Sequence, residues 1–224
     1  MEPLKPSEGL GVLHLFCKSS EQIKTDLLIE VVDGISSQGG QVIPVSILGH
    51  KADLAFMVLS EDWVSLREFQ TGITNCGLQI VDSYVSLTEI SEYATGVPDE
   101  MRNARLYPEL PPEGKTAWCF YPMSKRRNVD QNWFTLDFEK RKNLMYEHGA
   151  SGRKFAGRVL QVITGSTGID DFEWGVTLFC EKPDDLKDVV YTMRFDEASA
   201  EYAEFGPFYA GIVGEMHQVL EVIS

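Results

Sequence analysis

An order of predicted elements that occurs twice constrains the fold of this chain more than any other feature. The spacing of apolar residues predicts strand, helix, strand, strand, helix, strand in the first half of the 224 residues, and the same order returns in the second half. This order is typical of the ferredoxin-like unit. The sequence therefore predicts an α+β fold with two such units, whose sheets either pack edge to edge or merge into a barrel.

The boundaries of these elements follow from where each apolar pattern begins and ends. The first half is predicted to contain strands at 11–17, 41–48, 53–59 and 78–87 and helices at 19–33 and 61–73. The second half is predicted to contain strands at 115–123, 157–164, 172–180 and 207–213 and helices at 130–148, 183–193 and 196–204. Ser19 and Gly34 are the expected ends of the first helix, and Asp130 and Gly149 those of the helix at 130–148.

A stretch rich in proline and charge separates the two halves. Residues 96–114 read GVPDEMRNARLYPELPPEG, a composition that favours a connecting segment. We therefore expect an N-terminal ferredoxin-like module at 1–95, the connection at 96–114, and a C-terminal ferredoxin-like module at 115–224.

Composition limits the class of protein and its partners. The formal charge of −14, from 34 acidic and 20 basic residues, argues against a surface that binds nucleic acid or an anionic membrane, although a local basic site remains compatible with it. Residues 1–9 do not resemble a signal peptide, and the longest apolar runs are too short to span a bilayer, so we expect a cytoplasmic protein. The four cysteines form no CxxC pair, which predicts buried thiols in a reducing compartment.

The strand that opens the second half carries unusual residues. Strand alternation places Tyr121 and Met123 on one face, and Lys125 follows on the same side if the extended path continues. The basic cluster at 125–127 is interpreted either as a solvated loop or as an anion site beside a redox-capable tyrosine.

Two polar residues interrupt apolar faces in the same half. His148 shares a helix face with Leu144, which suits a helix-end cation, a packed core residue or a ligand. Because no two histidines have the spacing of a metal site, a bound metal would need most of its ligands from a cofactor. Gln161 lies on an otherwise apolar strand face, where its amide needs a partner from the backbone, a water or a ligand.

Several ordered motifs together resemble one known family. They are RLYPELP (105–111), YPMSKRR (121–127), NWF (132–134), EHG (147–149), QVITGSTGIDDFEWGVTLF (161–179) and VVYTMRFDEASAEYAEFGPFYAG (189–211). This set resembles the chlorite dismutase superfamily, in its coproheme decarboxylase branch. The resemblance implies two ferredoxin-like modules that form a β-barrel-like core of the dimeric α/β-barrel type, iron porphyrin bound in the C-terminal module, and a homopentamer.

The resemblance also implies an activity and a set of site residues. Its enzymes use hydrogen peroxide to remove two propionates of coproheme (iron coproporphyrin III), which is both substrate and redox centre, and they leave two vinyl groups in the product, heme b. His148 then matches the proximal iron ligand, Tyr121 the tyrosine whose radical takes hydrogen from a propionate, Lys125 a lysine needed for the second decarboxylation, and Gln161 the distal glutamine.

Further positions match residues that hold the porphyrin. Propionate anchors are expected at Arg105 and Ser199, and Arg194 matches an arginine near the same pocket. Contact with the porphyrin is expected at Met123, and aromatic contact or core packing at Trp133 and Trp174. Residues 101–160 carry twelve basic and six acidic residues, net +6, which suits a small polycarboxylate. A transient contact with a coproporphyrin ferrochelatase that delivers the substrate is a further expectation.

Four alternatives stay open from the sequence. The chain could bind or handle heme without catalysis, or it could be an α+β dimerisation module in which His148 only ends a helix. A heme peroxidase or a chlorite dismutase is less favoured, because Gln161 stands where the resemblance places an arginine in chlorite dismutases and a histidine in the actinobacterial decarboxylases.

Overall fold

A computed structural model describes residues 1–20, 22–94 and 96–223 of the chain. The first module consists of β1 (Gly11–Lys18), α1 (Thr25–Ser37), β2 (Gln41–Ile47), β3 (Leu54–Ser60), α2 (Trp63–Asn75) and β4 (Gln79–Thr88). Residues 95 and 224, the expected last residues of the two modules, lie outside the described part of the chain.

The second module repeats this order with additions. It consists of β5 (Ala117–Lys125), β6 (Arg127–Asn128), β7 (Gln131–Asn132), α4 (Phe138–Arg153), β8 (Val159–Gly165), β9 (Trp174–Cys180), α5 (Pro183–Met193), α6 (Glu197–Ala200), β10 (Ala203–Phe205), β11 (Tyr209–Val213) and α7 (Met216–Ile223). The connection contains a short helix, α3 (Asp99–Leu106), that the sequence did not predict; Leu106 is its buried residue.

Eight strands close into a ring. The first module has the strand order β2-β3-β1-β4 and the second β8-β9-β5-β11, the antiparallel ferredoxin-like order in both cases. β11 pairs with β2, and β4 pairs with β8, so the two sheets form one closed barrel, while β10 adds to the end of β5. The predicted α+β fold with a barrel-like core is therefore confirmed.

Side chains fill the barrel, as expected for eight strands. Val12, His14 and Phe16 of β1 point inward, and His14 stacks on Phe120 with ring centroids 4.1 Å apart. The alternate residues of the same strand, such as Leu15, point outward and pack under α1 and α2. With the interior filled, a ligand can bind only at the outer faces of the sheet, beneath the helices that cover them.

Helix α1 differs from the helix predicted at 19–33. Leu28, Val32 and Ile35 lie on one face and are buried against the sheet, and this packing extends the helix past Gly34 to Ser37. Residue 21, inside the predicted range, lies outside the described residues. The left-handed conformation that follows the helix is adopted by Gly39, with φ +82°.

Helix α4 also differs from its prediction at 130–148. Asp130 lies in the turn between β6 and β7, and the helix is capped by Asp137, whose carboxylate accepts a hydrogen bond of 2.9 Å from the backbone N–H of Lys140. Gly149 is helical, and the helix continues to Arg153. His148 therefore lies within α4, more than a turn before its end.

The end of the chain adds a helix that was not predicted. Met216 and Val219 of α7 are buried against the first module, beside the residues under α1 and α2. Within the described residues, none of the helices has the length and apolar character needed to cross a membrane.

Candidate active site

Helix α4 leaves part of the sheet beneath it uncovered. Leu144 is the single fully buried residue of α4, a helix described over its whole length, and α4 packs mainly against α5 and α6. On the sheet of the same module, Ile163 of β8 points outward and is 45% exposed. An apolar side chain exposed on an outer sheet face under a loosely packed helix suits an apolar ligand.

A buried carboxylate holds one nitrogen of His148. The Nδ1 atom of His148 lies 3.0 Å from Oδ2 of Asp196 and 3.3 Å from the hydroxyl of Ser199. Asp196 caps α6, where its Oδ1 accepts a hydrogen bond of 2.9 Å from the backbone N–H of Ser199. Burial alone would raise the pKa of Asp196, but the hydrogen bonds and the charge of His148 outweigh it and hold that pKa below its usual value.

The ionised Asp196 determines which imidazole nitrogen is free. A carboxylate only accepts hydrogen bonds, so Nδ1 of His148 donates to it, and Nε2 is the nitrogen left to bind a metal. A carboxylate on the second nitrogen is the usual support of a metal-binding histidine. Among the described residues, no group of three or more His, Cys, Asp and Glu could hold a metal ion. His148 thus offers one ligand, which fits an iron that a porphyrin already chelates.

Tyr121 lies on the outward face of β5 in an aromatic pocket. Its ring stacks on Phe208 with centroids 4.4 Å apart and is tilted against Phe205 at 5.7 Å. Burial raises the pKa of the phenol, and nearby Arg194 opposes that rise in part. The guanidinium of Arg194 lies 4.5 Å from the Phe205 ring, and no carboxylate pairs with it within the described part of the chain. The site therefore combines a neutral, oxidisable phenol with a cation available to an anion.

Lys125 follows Tyr121 and Met123 on the same face, as predicted, because β5 extends to residue 125. Its Nζ donates a hydrogen bond of 2.7 Å to the carbonyl of Ala198 and lies 4.5 Å from the ring centroid of Trp133. Burial lowers the pKa of Lys125 to about 8, although the carboxylates of Asp196 and Glu173 oppose the shift.

Gln161 and α4 approach each other closely. The amide Nε2 of Gln161 lies 3.5 Å from Sδ of Met193, a weak acceptor, and 4.0 Å from the point where a Cβ on Gly152 would lie. Gly152 is four residues after His148, so both residues are on one face of α4. The predicted distal amide and the predicted iron ligand therefore belong to the same region.

The structure brings together most, but not all, of the predicted site residues. Ser199 contacts His148, and Trp133 is buried against Tyr202, so core packing applies to that tryptophan. Trp174 lies at the start of β9, where its indole N–H donates to Glu89 at 3.2 Å. Arg105 is exposed on α3, and within the described residues no hydrogen bond or ion pair joins it to the others.

Asp196 is the site residue that sequence reasoning missed. The pattern was visible, because an aspartate three residues before Ser199 is a common helix cap. A cap alone, however, does not reveal that the same carboxylate reaches a histidine 48 positions earlier in the chain.

Comparison with known proteins places the chain in a family. The model of the chlorite dismutase family matches residues 21–214. The chain belongs to the chlorite dismutase family. The coproheme decarboxylase of Staphylococcus carnosus (strain TM300) is 44% identical to this chain over 200 residues, which cover 84% of this chain and 79% of that protein. The family predicted from the motifs is thereby confirmed.

Solved structures of other proteins share the whole fold. A heme-binding protein from Thermus thermophilus superimposes with a TM-score of 0.86 at 34% identity and covers 99% of this chain and 98% of its own. A chlorite dismutase variant from Candidatus Nitrospira defluvii gives a TM-score of 0.78 at 19% identity and covers 97% of each chain. At that identity the second comparison supports the fold alone.

Proposed function

We propose that this protein is a hydrogen peroxide-dependent coproheme decarboxylase that converts two propionates of coproheme to vinyl groups and releases heme b. The observation that carries the proposal is the His148–Asp196–Ser199 group, which leaves one imidazole nitrogen free on the module that also bears Tyr121. The named relative at 44% identity is a coproheme decarboxylase, and the neighbour at 34% identity is a heme-binding protein.

The reaction balances with peroxide as the oxidant. For each propionate, one hydrogen peroxide and one proton are consumed, and one carbon dioxide and two waters leave, so the side chain loses two electrons and becomes a vinyl group. Bound coproheme supplies the redox centre that activates peroxide and is itself the substrate. His148 holds its iron, and Asp196 accepts the Nδ1–H hydrogen bond that fixes the orientation of the imidazole and turns Nε2 to the iron.

The remaining residues of the chain orient the substrate and move hydrogen. Tyr121 passes through a neutral radical that takes a hydrogen atom from the propionate chain, a role suited to a phenol whose pKa is raised by burial. Arg194 lies beside Tyr121 without a carboxylate partner in the described part of the chain, so it can hold a propionate. Lys125, with a pKa of about 8, can supply a proton near neutral pH.

The remaining substrate contacts are proposed on the resemblance. Arg105 and Ser199 are further propionate anchors, and Met123, Trp133 and Trp174 lie near the ring. Gln161 supplies a neutral amide at the peroxide side, so a water, a propionate or hydroperoxide itself must accept the peroxide proton. A cytoplasmic homopentamer that receives coproheme from a coproporphyrin ferrochelatase completes the proposal.

Replacement of Tyr121 tests the radical step. Tyr121→Phe is expected to retain coproheme binding and to lose decarboxylation, because the ring still stacks on Phe208 while the oxidisable hydroxyl is gone. Mass spectrometry of the porphyrin after addition of coproheme and peroxide gives the answer: loss of carbon dioxide in the wild type and unchanged coproheme in the variant. Normal turnover by Tyr121→Phe would remove the radical role.

A heme-binding protein without catalysis is the second candidate, favoured by the neighbour from Thermus thermophilus. It predicts tighter binding of heme b than of coproheme and no carbon dioxide after peroxide. Parallel titrations of the purified wild type with both porphyrins distinguish the two functions.

A further inference from the structure

Helix α6 joins two parts of the site that are distant in sequence. It has four residues, so hydrogen bonds within the helix cannot hold it in place, and its position depends on its contacts. One side of this short segment carries Asp196 and Ser199, which contact Nδ1 of His148. The backbone carbonyl of Ala198, which lies between these two residues in the sequence, contacts the end of β5 instead.

Lys125 is the residue that holds this carbonyl. Its ammonium donates to the Ala198 oxygen at 2.7 Å and lies over the Trp133 ring, and Lys125, Ala198 and Trp133 are all buried. Trp133 in turn packs edge-on against Tyr202, two residues beyond α6, with ring centroids 5.4 Å apart. The end of β5 therefore fixes both the middle of α6 and the chain that leaves it.

We propose that Lys125 is a positioning residue for His148, which acts by holding α6 so that Asp196 and Ser199 stay on the imidazole. A buried charge-assisted hydrogen bond to a backbone carbonyl is strong and directional, and its loss removes the hydrogen bond that ties Ala198 to the end of β5. This role is separate from any contact of Lys125 with a propionate. The proposal depends on the proposed function in one respect, namely that His148 is the iron ligand.

The test observes the imidazole before any porphyrin is added. Nitrogen-15 NMR of His148 in the free protein reports its tautomer, which is expected to be the Nδ1–H form in the wild type. In Lys125→Met the two tautomers are expected to average, and the dissociation constant for coproheme is expected to rise by about tenfold or more, the usual effect of losing support behind a metal ligand. If Lys125→Met does not fold, Lys125→Gln serves, because its shorter side chain also fails to reach Ala198.

Lys115→Met is the matched control. Lys115 donates to the carbonyl of Gly157 and to Glu181 and, in the described part of the chain, makes no contact with α6, so its loss should leave the His148 tautomer unchanged. An unchanged tautomer in the Lys125 variants would overturn the proposal. If the wild type binds coproheme but releases no carbon dioxide, the proposed function fails, while the NMR result still decides the role of Lys125.

Discussion

The first helices of the two modules, α1 and α4, occupy the same place in the repeated order but pack differently. α1 (TDLLIEVVDGISS) buries Leu28, Val32 and Ile35 against its sheet. α4 (FEKRKNLMYEHGASGR) fully buries Leu144 alone among its residues, all of which are described. The difference lies in the sequences, because the turns that would face the sheet in α4 carry His148 and glycine rather than aliphatic residues. The first module therefore uses α1 to complete a hydrophobic core, whereas the second leaves part of its outer sheet face exposed under α4.

Positive charge is concentrated around β5 and α4. Residues 101–160, which include β5 and α4, carry net +6, while the rest of the chain carries −20. Buried acids and bases also concentrate in the second module, with Lys125, Asp185, Asp196 and Glu173 all buried there. Burying such groups costs free energy unless they are paired, and here Asp185 pairs with Arg158, Glu173 with Arg127 and Asp196 with His148.

The largest expected effect comes from weakening the packed helix. Leu28→Ala should lower the free energy of unfolding by about 2–5 kcal/mol, because Leu28 is fully buried. Met145→Ala in α4, at a partly buried position, should cost less than half as much. Urea denaturation of both variants makes the comparison, and equal losses would show that α4 is packed as tightly as α1.

The buried lysine gives the second module a distinct pH dependence. Folding lowers the pKa of Lys125 from 10.5 to about 8, so between these values the unfolded state binds more protons and stability rises with pH. The unfolding free energy of the wild type should therefore rise relative to that of Lys125→Met between pH 8 and 10.5, by up to about 3 kcal/mol at 1.36 kcal/mol per pKa unit. Parallel pH profiles for the two proteins would show that folding does not lower the pKa of Lys125.

Asp196→Asn should have the smallest effect on folding and a specific effect on binding. Asparagine caps a helix as well as aspartate does, so α6 is retained, but the carboxylate that fixes the His148 tautomer is lost. The affinity for coproheme should fall by about 10- to 100-fold. Isothermal titration measures this, and an unchanged affinity for coproheme in Asp196→Asn would refute the assignment.

The repeated element order and the strand faces could be predicted from sequence because both depend on local periodicity. Tyr121, Met123 and Lys125 share a face in the structure for that reason. The start of α4 could not be predicted from sequence, because Asp130 and Asp137 are equally good helix caps. The β6–β7 hairpin, which contains Asp130 in its turn, decides between them. Asp196 was missed because its partner comes from another helix, a tertiary contact that no local pattern encodes.

The most direct test of the pocket under α4 is resonance Raman spectroscopy of ferrous coproheme bound to the wild type and to His148→Gly. We expect an iron–histidine stretching band in the wild type, its loss in the variant, and its return when free imidazole is added to fill the space that the side chain leaves. An iron–histidine band that persists in His148→Gly without imidazole would show that another residue holds the iron and would contradict the assignment of α4 as the ligand helix.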